Sequence, residues 1–348
     1  FADNTLEKVM EPDAIFRIAS QTKAITATAV MMLWEEGRFN LDDNISKFIP
    51  EFGKALVLDS LYSDGTYTSL ATANEITIRH LLTHTSGIGY GEIDKDPRFQ
   101  IIYRDAGITD LFTTEKITIA ESVRALARLP LHHGPGEGYT YSEGLDVLGY
   151  FVEVISGLPL DEFMRSRIFE PLGMKDTWFY LPESRSERLV PVQTNHTGKW
   201  RRYPVTFYDP DYPVKGAKTF FSGGAGLMST AYDYALFLQM FLNNGELNGV
   251  RYLSRTTIRF MMANQIGNLW ENETAGHGLS FRILNQNGED QGGKGSAGSF
   301  DWGGYFNTQY FADPNEQVIG ILMKQTRGIG NDDTSWKFRQ LVGQAIDD

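Results

Sequence analysis

The sequence predicts an α+β protein in which a mostly helical lobe lies beside an α/β lobe with an antiparallel sheet flanked by helices. Two observations carry this prediction. In several segments of the first 260 residues, apolar side chains recur at three- and four-residue steps, the period of helices with one buried face. In the last quarter, strand-like segments alternate with turn-forming residues and a terminal helix follows. Helices first and a sheet later argue against a repeated βαβ order.

The helices have recognisable start and stop signals. The first has one buried face and runs from Ser20 to Gly37, where glycine is a natural stop. Further helices are expected at 78–82 after Thr77, at 118–129 with a Thr118–Glu121 capping box, at 145–155, at 160–169, after Ser229 or Thr230, after Ser254 and at 336–346. Residues 59–74, 87–116 and 176–220 lack such a period, and we expect the first of these to be a surface excursion.

The predicted sheet is built near the end of the chain. Segments 277–284, 299–311 and 318–325 are its expected strands. Residues 285–296 and 313–316 are the expected connecting turns, which gives an antiparallel meander. The helical lobe is therefore assigned to residues 20–215, and the α/β lobe to residues 1–19 together with 216–348.

The composition excludes several classes of function. A net charge of −12 argues against a nucleic-acid or anionic-membrane partner. No apolar run is long enough for a transmembrane helix. The absence of Cys excludes disulfides, thiol catalysis and cysteine-bound metals.

The chain begins Phe1-Ala2-Asp3, with neither an initiator Met nor a basic segment followed by an apolar one. We therefore expect that something upstream was removed or left out. A chain without Cys is compatible with export, and we favour a periplasmic or secreted location over the cytoplasm. The oligomeric state stays open.

Ser20 and Lys23 form a Ser-x-x-Lys sequence that can carry chemistry. Ser20 lies in the first turn of the predicted helix, and Lys23 follows one turn later on the same face. The helix dipole favours negative charge on Ser20. Burial disfavours the ammonium form of Lys23, and the neutral amine can serve as a base. The pair can thus activate a serine without histidine. From this four-residue pattern alone, the alternative to a catalytic pair is a serine that caps the helix and a lysine whose amine reaches solvent.

His80 and His84 lie four residues apart on a predicted helix, the spacing of two zinc ligands. No Glu follows His80, and no third ligand stands out in the sequence. We therefore expect packing or hydrogen-bonding histidines and no metal.

Three motifs in a fixed order carry a resemblance to a known family. They are Ser20-Gln21-Thr22-Lys23, Tyr141-Ser142-Glu143 and Trp302-Gly303-Gly304, with support from residues 80–87, 223–227 and 298–304. The chain resembles the serine β-lactamase and penicillin-binding superfamily along nearly its whole length. More narrowly, it resembles the class C β-lactamase-like esterases, the family VIII carboxylesterases. A β-lactamase/transpeptidase-like fold is what the resemblance implies.

The resemblance also implies roles for particular residues. Ser20 would be the acylated nucleophile, Lys23 its general base and Tyr141 the residue that passes protons to the leaving group and to the deacylating water. The backbone N–H groups of Ser20 and Tyr305 would form the oxyanion hole. Trp302, Gly303, Gly304 and Glu143 would bind substrate; the alternative for the Trp-Gly-Gly stretch is a β-bulge with a core Trp. A second Tyr-Ser pair, Tyr62-Ser63, lies in a polar segment and is discounted.

Two departures from the family pattern concern the substrate. The β-lactamases carry Asn where this chain has Glu143, and Lys-Thr-Gly where it has Trp302-Gly303-Gly304. Lys294-Gly295-Ser296 resembles a shifted version, but its glycine-rich surroundings indicate a loop. The lost lysine would have held a β-lactam carboxylate, and Glu143 would disfavour an anion. Both changes favour neutral esters of small acyl groups.

A third departure is that only nineteen residues precede Ser20, where the family has a helix and two sheet strands. We therefore expect that the first strands of the sheet are absent from this chain, or that a second chain or a separated fragment supplies them.

The function expected is that of a cofactor-free serine hydrolase, most simply a carboxylesterase acting on short-chain esters through an acyl-enzyme on Ser20. A β-lactamase, a D-amino-acid peptidase or an acyltransferase of the same superfamily is the alternative. A non-catalytic acyl-trapping or assembly protein is the alternative from another class.

Overall fold

The computed structural model describes residues 1–196, 198–330 and 332–346. Its α-helices are α1 (Thr22–Glu35), α2 (Ile78–Leu82), α3 (Pro97–Asp105), α4 (Ile119–Leu126), α5 (Gly144–Ser156), α6 (Leu160–Met164), α7 (Glu170–Leu172), α8 (Tyr212–Lys215), α9 (Ala231–Leu242), α10 (Arg255–Met261), α11 (Gln286–Asp290) and α12 (Thr334–Gln344). Its strands are β1 (Phe16–Arg17), β2 (Leu56–Leu61), β3 (Tyr67–Ala71), β4 (Gln193–Thr194), β5 (Arg201–Arg202), β6 (Met228–Ser229), β7 (Glu246–Leu247), β8 (Val250–Arg251), β9 (Ala275–His277), β10 (Arg282–Leu284), β11 (Phe300–Gly303), β12 (Gln309–Asp313) and β13 (Val318–Leu322). Shorter turns of helix are Ala19–Gln21, Ile45–Lys47, Pro50–Lys54, Arg165–Phe169 and Glu183–Arg188.

Helix α1 lies in the centre of the core. It packs against α5, while the hydroxyl of Tyr234 on α9 donates to the Gln21 carbonyl at its start. The side chains from Thr22 to Leu33 are all buried, so the expectation of a single buried face was wrong. Polar side chains such as that of Thr26 can be buried here because their hydrogen-bonding groups have partners. The Thr26 hydroxyl, for example, donates to the Gly223 carbonyl.

The main sheet has five antiparallel strands in the order β13-β12-β11-β10-β9. The prediction of an antiparallel meander is therefore confirmed, but two predicted strands, 277–284 and 299–311, each contain two strands and a turn. The α+β architecture is confirmed as well. Helix α9 packs against β12 and β13, and α12 contacts β13.

Two segments expected to be irregular contain regular structure. Residues 59–74 form most of a hairpin of β2 and β3, which is largely exposed. The segment 87–116 contains α3, which Asp96 caps and Pro97 begins. Both elements are short, and the sequence in each lacks a sustained apolar period.

The first residues of the chain do not join the main sheet. Phe16 and Arg17 pair with Met228 and Ser229, beside the start of α1. Five strands form between residues 275 and 322 alone, so this chain builds a five-stranded sheet without a strand from the residues before Ser20. Strands contributed by another chain or fragment stay a prediction. The division into lobes at 20 and 216 also stays a prediction.

Within the described residues, every helix is too short or too polar to cross a lipid bilayer.

Candidate active site

Strand β1 and the turn after it hold Ser20 at the start of α1. The Ile18 N–H donates to the Leu227 carbonyl at 3.0 Å, which fixes the entry of the chain. Ala19 is fully buried and has a φ of +46°, a left-handed conformation that costs a residue with a Cβ about 1 kcal/mol or more. The surrounding core keeps this conformation in place, and Ser20 follows it on the partly exposed side of the turn.

The three residues predicted to react lie together. The Tyr141 hydroxyl donates to Ser20 Oγ at 2.7 Å. Lys23 Nζ lies 3.4 Å from the same oxygen and 4.7 Å from the centre of the Tyr141 ring. Because hydroxyl protons can rotate, this arrangement gives Ser20 two neighbouring groups that can receive its proton.

Lys23 is 1% exposed, so its amine faces protein groups and not bulk water. It donates to the Tyr90 hydroxyl at 2.9 Å and to the Gly224 carbonyl at 2.8 Å. Burial raises the pKa of Tyr90 well above its usual value, which keeps the phenol protonated. Tyr90 lies in the segment 87–116, for which the sequence showed no helical period, and its contact with Lys23 was missed.

A buried carboxyl group holds the turn that contains Gly224. Asp146 accepts hydrogen bonds from Ser222 Oγ at 2.5 Å and from the Gly224 N–H at 3.2 Å. Burial raises the pKa of Asp146, and the charge of Lys23 opposes that shift. The sequence analysis missed Asp146, although an acidic residue within the apolar stretch of α5 was a usable signal.

Glu143 does not occupy an exposed wall of the site. It is 3% exposed, and its carboxyl group lies close to Asp110. Burial first, and then Asp110, raise the pKa of Glu143 well above its usual range. A neutral, buried carboxyl does not repel an anion, so the electrostatic argument made from Glu143 against anionic substrates does not hold in this structure.

The end of β11 approaches the backbone in front of Ser20 very closely. A Cβ placed on Gly304 would lie 2.5 Å from the Ile18 carbonyl oxygen and would also collide with Thr308 Oγ1. The next residue, Tyr305, has a backbone N–H that donates no hydrogen bond to any residue that the structure describes. A free N–H beside the serine turn is the feature that an oxyanion hole requires.

We predict that Gly304→Ala lowers kcat by about 10²-fold, because the new methyl group must push Tyr305 away from Ser20. Gly303→Ala is the matched control: its Cβ would meet the flexible end of the Gln309 side chain, 2.9 Å away. We expect less than about a tenfold loss there. Steady-state ester hydrolysis by both variants measures the difference, and equal losses would contradict the assignment of Tyr305.

Trp302 is partly buried and belongs to an aromatic cluster beside Tyr141. Its ring centre lies 5.9 Å from that of Tyr141, 6.4 Å from that of His84 and 5.5 Å from that of His277. The ring of His84 is only 4.7 Å from that of Tyr141, and its Nδ1 contacts Ser142 Oγ at 3.1 Å. The cluster therefore packs against the face of Tyr141.

His277 should make stability depend on pH. Burial lowers the pKa of His277 from 6.5 to about 4, and its Nδ1–H donates to the Gly278 carbonyl. In the unfolded chain, His277 takes up a proton as the pH falls through 6.5, whereas in the folded protein it stays neutral until about pH 4. The free energy of unfolding therefore decreases as the pH falls through 6.5. Between pH 7 and pH 5 the loss is about 2 kcal/mol.

His277→Asn, which keeps a donor for Gly278 but cannot titrate, should remove this part of the pH dependence. Urea unfolding of both proteins at the two pH values tests it. The same pH dependence in variant and wild type would contradict the assignment.

Arg327 is a cation near the oxyanion position that the sequence analysis missed. Its guanidinium carbon lies 3.7 Å from the centre of the Tyr305 ring, and Nη1 donates to the Tyr305 carbonyl at 3.2 Å. Trp302 stands where the β-lactamases have the lysine of Lys-Thr-Gly, but Arg327 supplies a positive charge to this site. Arg327 reaches this site only through its contact with Tyr305, 22 residues away in the sequence, so no local sequence pattern could have predicted it.

The two histidines with zinc-like spacing have other partners. His80 Nδ1 accepts from the Thr77 N–H as part of a helix cap, and His84 contacts Ser142. Among the residues described, no group of three or more His, Asp or Glu side chains is arranged to hold a metal ion.

A helical region beside an antiparallel sheet, with a Ser-x-x-Lys serine at the start of a buried helix, is the architecture of a penicillin-binding type of serine hydrolase. The chain belongs to the Beta-lactamase family, whose family model matches residues 1–344. The resemblance stated from the motifs is confirmed, as is the β-lactamase/transpeptidase-like fold.

Similar proteins match the chain over most of its length. Protein Rv1367c of Mycobacterium tuberculosis (strain ATCC 25618 / H37Rv) is 33% identical over 327 residues, which cover 91% of this chain and 78% of that protein. Esterase EstB of Burkholderia gladioli is 32% identical over 346 residues, 93% of this chain and 81% of EstB. The solved structure of EstCE1, a hydrolase with promiscuous acyltransferase activity, has a TM-score of 0.78 at 24% identity and covers 98% of this chain and 87% of that one.

Proposed function

We propose that this serine hydrolase is a carboxylesterase that cleaves short-chain esters through an acyl-enzyme on Ser20. The observation that carries the proposal is the position of Ser20 Oγ, 2.7 Å from the Tyr141 hydroxyl and 3.4 Å from Lys23 Nζ. The similarity to Esterase EstB supports an ester as the substrate.

In the acylation step, Ser20 Oγ attacks the ester carbonyl carbon and its proton passes to the amine of Lys23. The backbone N–H groups of Ser20 and Tyr305 stabilise the negative oxygen of the tetrahedral intermediate by several kcal/mol. The bond to the leaving oxygen then breaks. That oxygen takes its proton from Tyr141, which recovers one from Lys23.

In the deacylation step, a water molecule attacks the acyl carbon. Tyr141 and Lys23 take one proton from the water, and a proton returns to Ser20 Oγ as the acyl bond breaks. The products are a carboxylic acid and the restored enzyme. Tyr90 and the Gly224 carbonyl hold Lys23 in place through both steps.

The surroundings of Ser20 favour a small, largely apolar acyl group. Tyr141, Trp302 and Tyr305 are aromatic residues around the serine, and each is only partly buried. Arg327 places a positive charge beside Tyr305, and this charge would favour a substrate that carries a negative charge, such as the carboxylate of a β-lactam. β-Lactam hydrolysis is therefore measured together with ester hydrolysis.

The test is a profile of p-nitrophenyl esters from acetate to dodecanoate, with nitrocefin measured beside them. We expect the highest kcat/KM at acetate or butyrate and a fall at longer chains. Nitrocefin hydrolysis at rates rivalling ester cleavage would reverse the substrate assignment and favour a β-lactamase.

Labelling by a fluorophosphonate probe separates the remaining alternatives. Labelling on Ser20 together with sustained ester turnover supports the esterase. Labelling without turnover would favour an acyl trap, and no labelling would favour an assembly protein. Added methanol that raises product ester at the expense of acid would indicate acyl transfer.

A further inference from the structure

A large cavity lies away from Ser20, beside α6 and α7. Its volume is about 770 Å³, within the range of roughly 300–1,000 Å³ that small-molecule sites occupy. Its apolar walls are formed by Phe169, Met174, Trp178, Phe179, Tyr180 and Phe221. None of these residues has a part in the proposed chemistry of Ser20, so the cavity needs its own explanation.

The side chains around this cavity carry an excess of positive charge. Arg165, Lys175, Arg185 and Lys218 line it against only two acidic residues, Asp161 and Glu170, an excess of two in a chain of net charge −12. Both arginines are engaged by acidic residues, Arg165 with Glu170 and Arg185 with Asp176. Lys175 and Lys218 are exposed and form no ion pair with any described residue.

We propose that this cavity binds a monocarboxylate with an apolar body, of the class of medium-chain alkanoates. The aromatic walls contact the hydrocarbon and remove it from water, which contributes in proportion to the apolar area covered. Lys175 and Lys218 attract the carboxylate at the edge, where their flexible side chains remain hydrated. An uncharged hydrocarbon would use only the walls, and a small inorganic anion only the lysines.

The cavity also contacts the chain that leads to the candidate active site. Lys218 and Phe221 line it, and the Tyr180 hydroxyl, on its wall, donates to the Phe220 carbonyl at 2.7 Å. The turn that follows contains Gly224, whose carbonyl accepts from Lys23. A bound carboxylate would therefore touch the segment directly before the turn that holds the lysine.

The experiment is calorimetry on the full chain with Ser20→Ala, so that binding is measured without turnover and independently of the esterase proposal. Octanoate should bind saturably at one site per chain, and 1-octanol at least about tenfold more weakly. From hexanoate to decanoate, affinity should rise about threefold to fourfold per methylene until the cavity is filled. Equal affinity for octanoate and octanol, or no saturable binding of octanoate, would overturn the proposal.

Charge reversal locates the site. Lys175→Glu with Lys218→Glu should weaken octanoate binding by about tenfold or more, and the effect should shrink at high salt. The control, Lys54→Glu with Lys116→Glu, changes two exposed lysines elsewhere and alters the net charge by the same amount. An equal loss in the control would show a general charge effect and overturn the assignment.

Trp178 supplies a second measurement, because it lines the cavity. Octanoate should change the tryptophan fluorescence of the Ser20→Ala protein, and most of that change should be lost when Trp178→Phe is added. An unchanged signal in the double variant would place the ligand elsewhere.

Discussion

Ser20→Ala should lower kcat for p-nitrophenyl butyrate by about 10⁴-fold or more, because no other group in the site can form the acyl bond. Fluorophosphonate labelling should disappear at the same time. The fold should tolerate the change: Ser20 is only partly buried, and the loss of its hydrogen bond to Tyr141 costs about 1 kcal/mol. Ester hydrolysis and thermal unfolding measured on one preparation separate the two effects.

The matched control is Ser63→Ala. Ser63 follows Tyr62 in a second Tyr-Ser pair, but it lies exposed in the turn between β2 and β3. Its variant should keep wild-type rates. Ester turnover that survives in Ser20→Ala, or that is lost in Ser63→Ala, would contradict the assignment of Ser20 as the nucleophile.

The position of Lys23 relative to Ser20 could be predicted because both residues lie in one turn of a helix. A separation of three residues fixes the geometry locally, and no knowledge of the rest of the fold is needed. Tyr141 is different, since 121 residues separate it from Ser20. Only the order of motifs shared with a known family indicated that it belongs to the same site.

Tyr90, Gly224 and Arg327 could not be found in this way. Each reaches the site through a contact between distant parts of the chain, and none lies in a local pattern that implies the contact. Asp146 is an exception. An ionisable residue surrounded by apolar residues in the first turns of a helix needs a partner, and that requirement could have been read from the sequence.

The segments 277–284 and 299–311 were each predicted as one strand because apolar residues continue through the turn inside each segment. Leu279 and Phe281 continue the apolar pattern of 277–284, yet Ser280 between them has a φ of +67° and the chain reverses there. Phe306 has the same effect between β11 and β12, where Asn307 has a φ of +66°. Asparagine tolerates this conformation, so Asn307 was a usable turn signal that the apolar run outweighed.

Lys23→Met should lower kcat by about 10³-fold while leaving the folded state intact. Methionine is unbranched and of similar length, so it can fill the same buried space. The variant has no amine to accept the proton of Ser20 or to return one to Tyr141. Tyr90 and the Gly224 carbonyl lose their donor, but Asp146, whose pKa burial already raises, can become neutral by taking up a proton.

Labelling kinetics separate the loss of a base from the loss of the nucleophile. In Lys23→Met, the fluorophosphonate should still label Ser20, but more slowly by about the same factor as ester hydrolysis, whereas Ser20→Ala removes the reacting atom. Urea unfolding should show a variant that is folded but about 1–3 kcal/mol less stable than wild type, because the Tyr90 hydroxyl and the Gly224 carbonyl lose their buried hydrogen-bond donor. A variant that folds normally and keeps more than about a tenth of the wild-type rate would transfer the role of base to Tyr141, because that hydroxyl is the other group within reach of Ser20 Oγ.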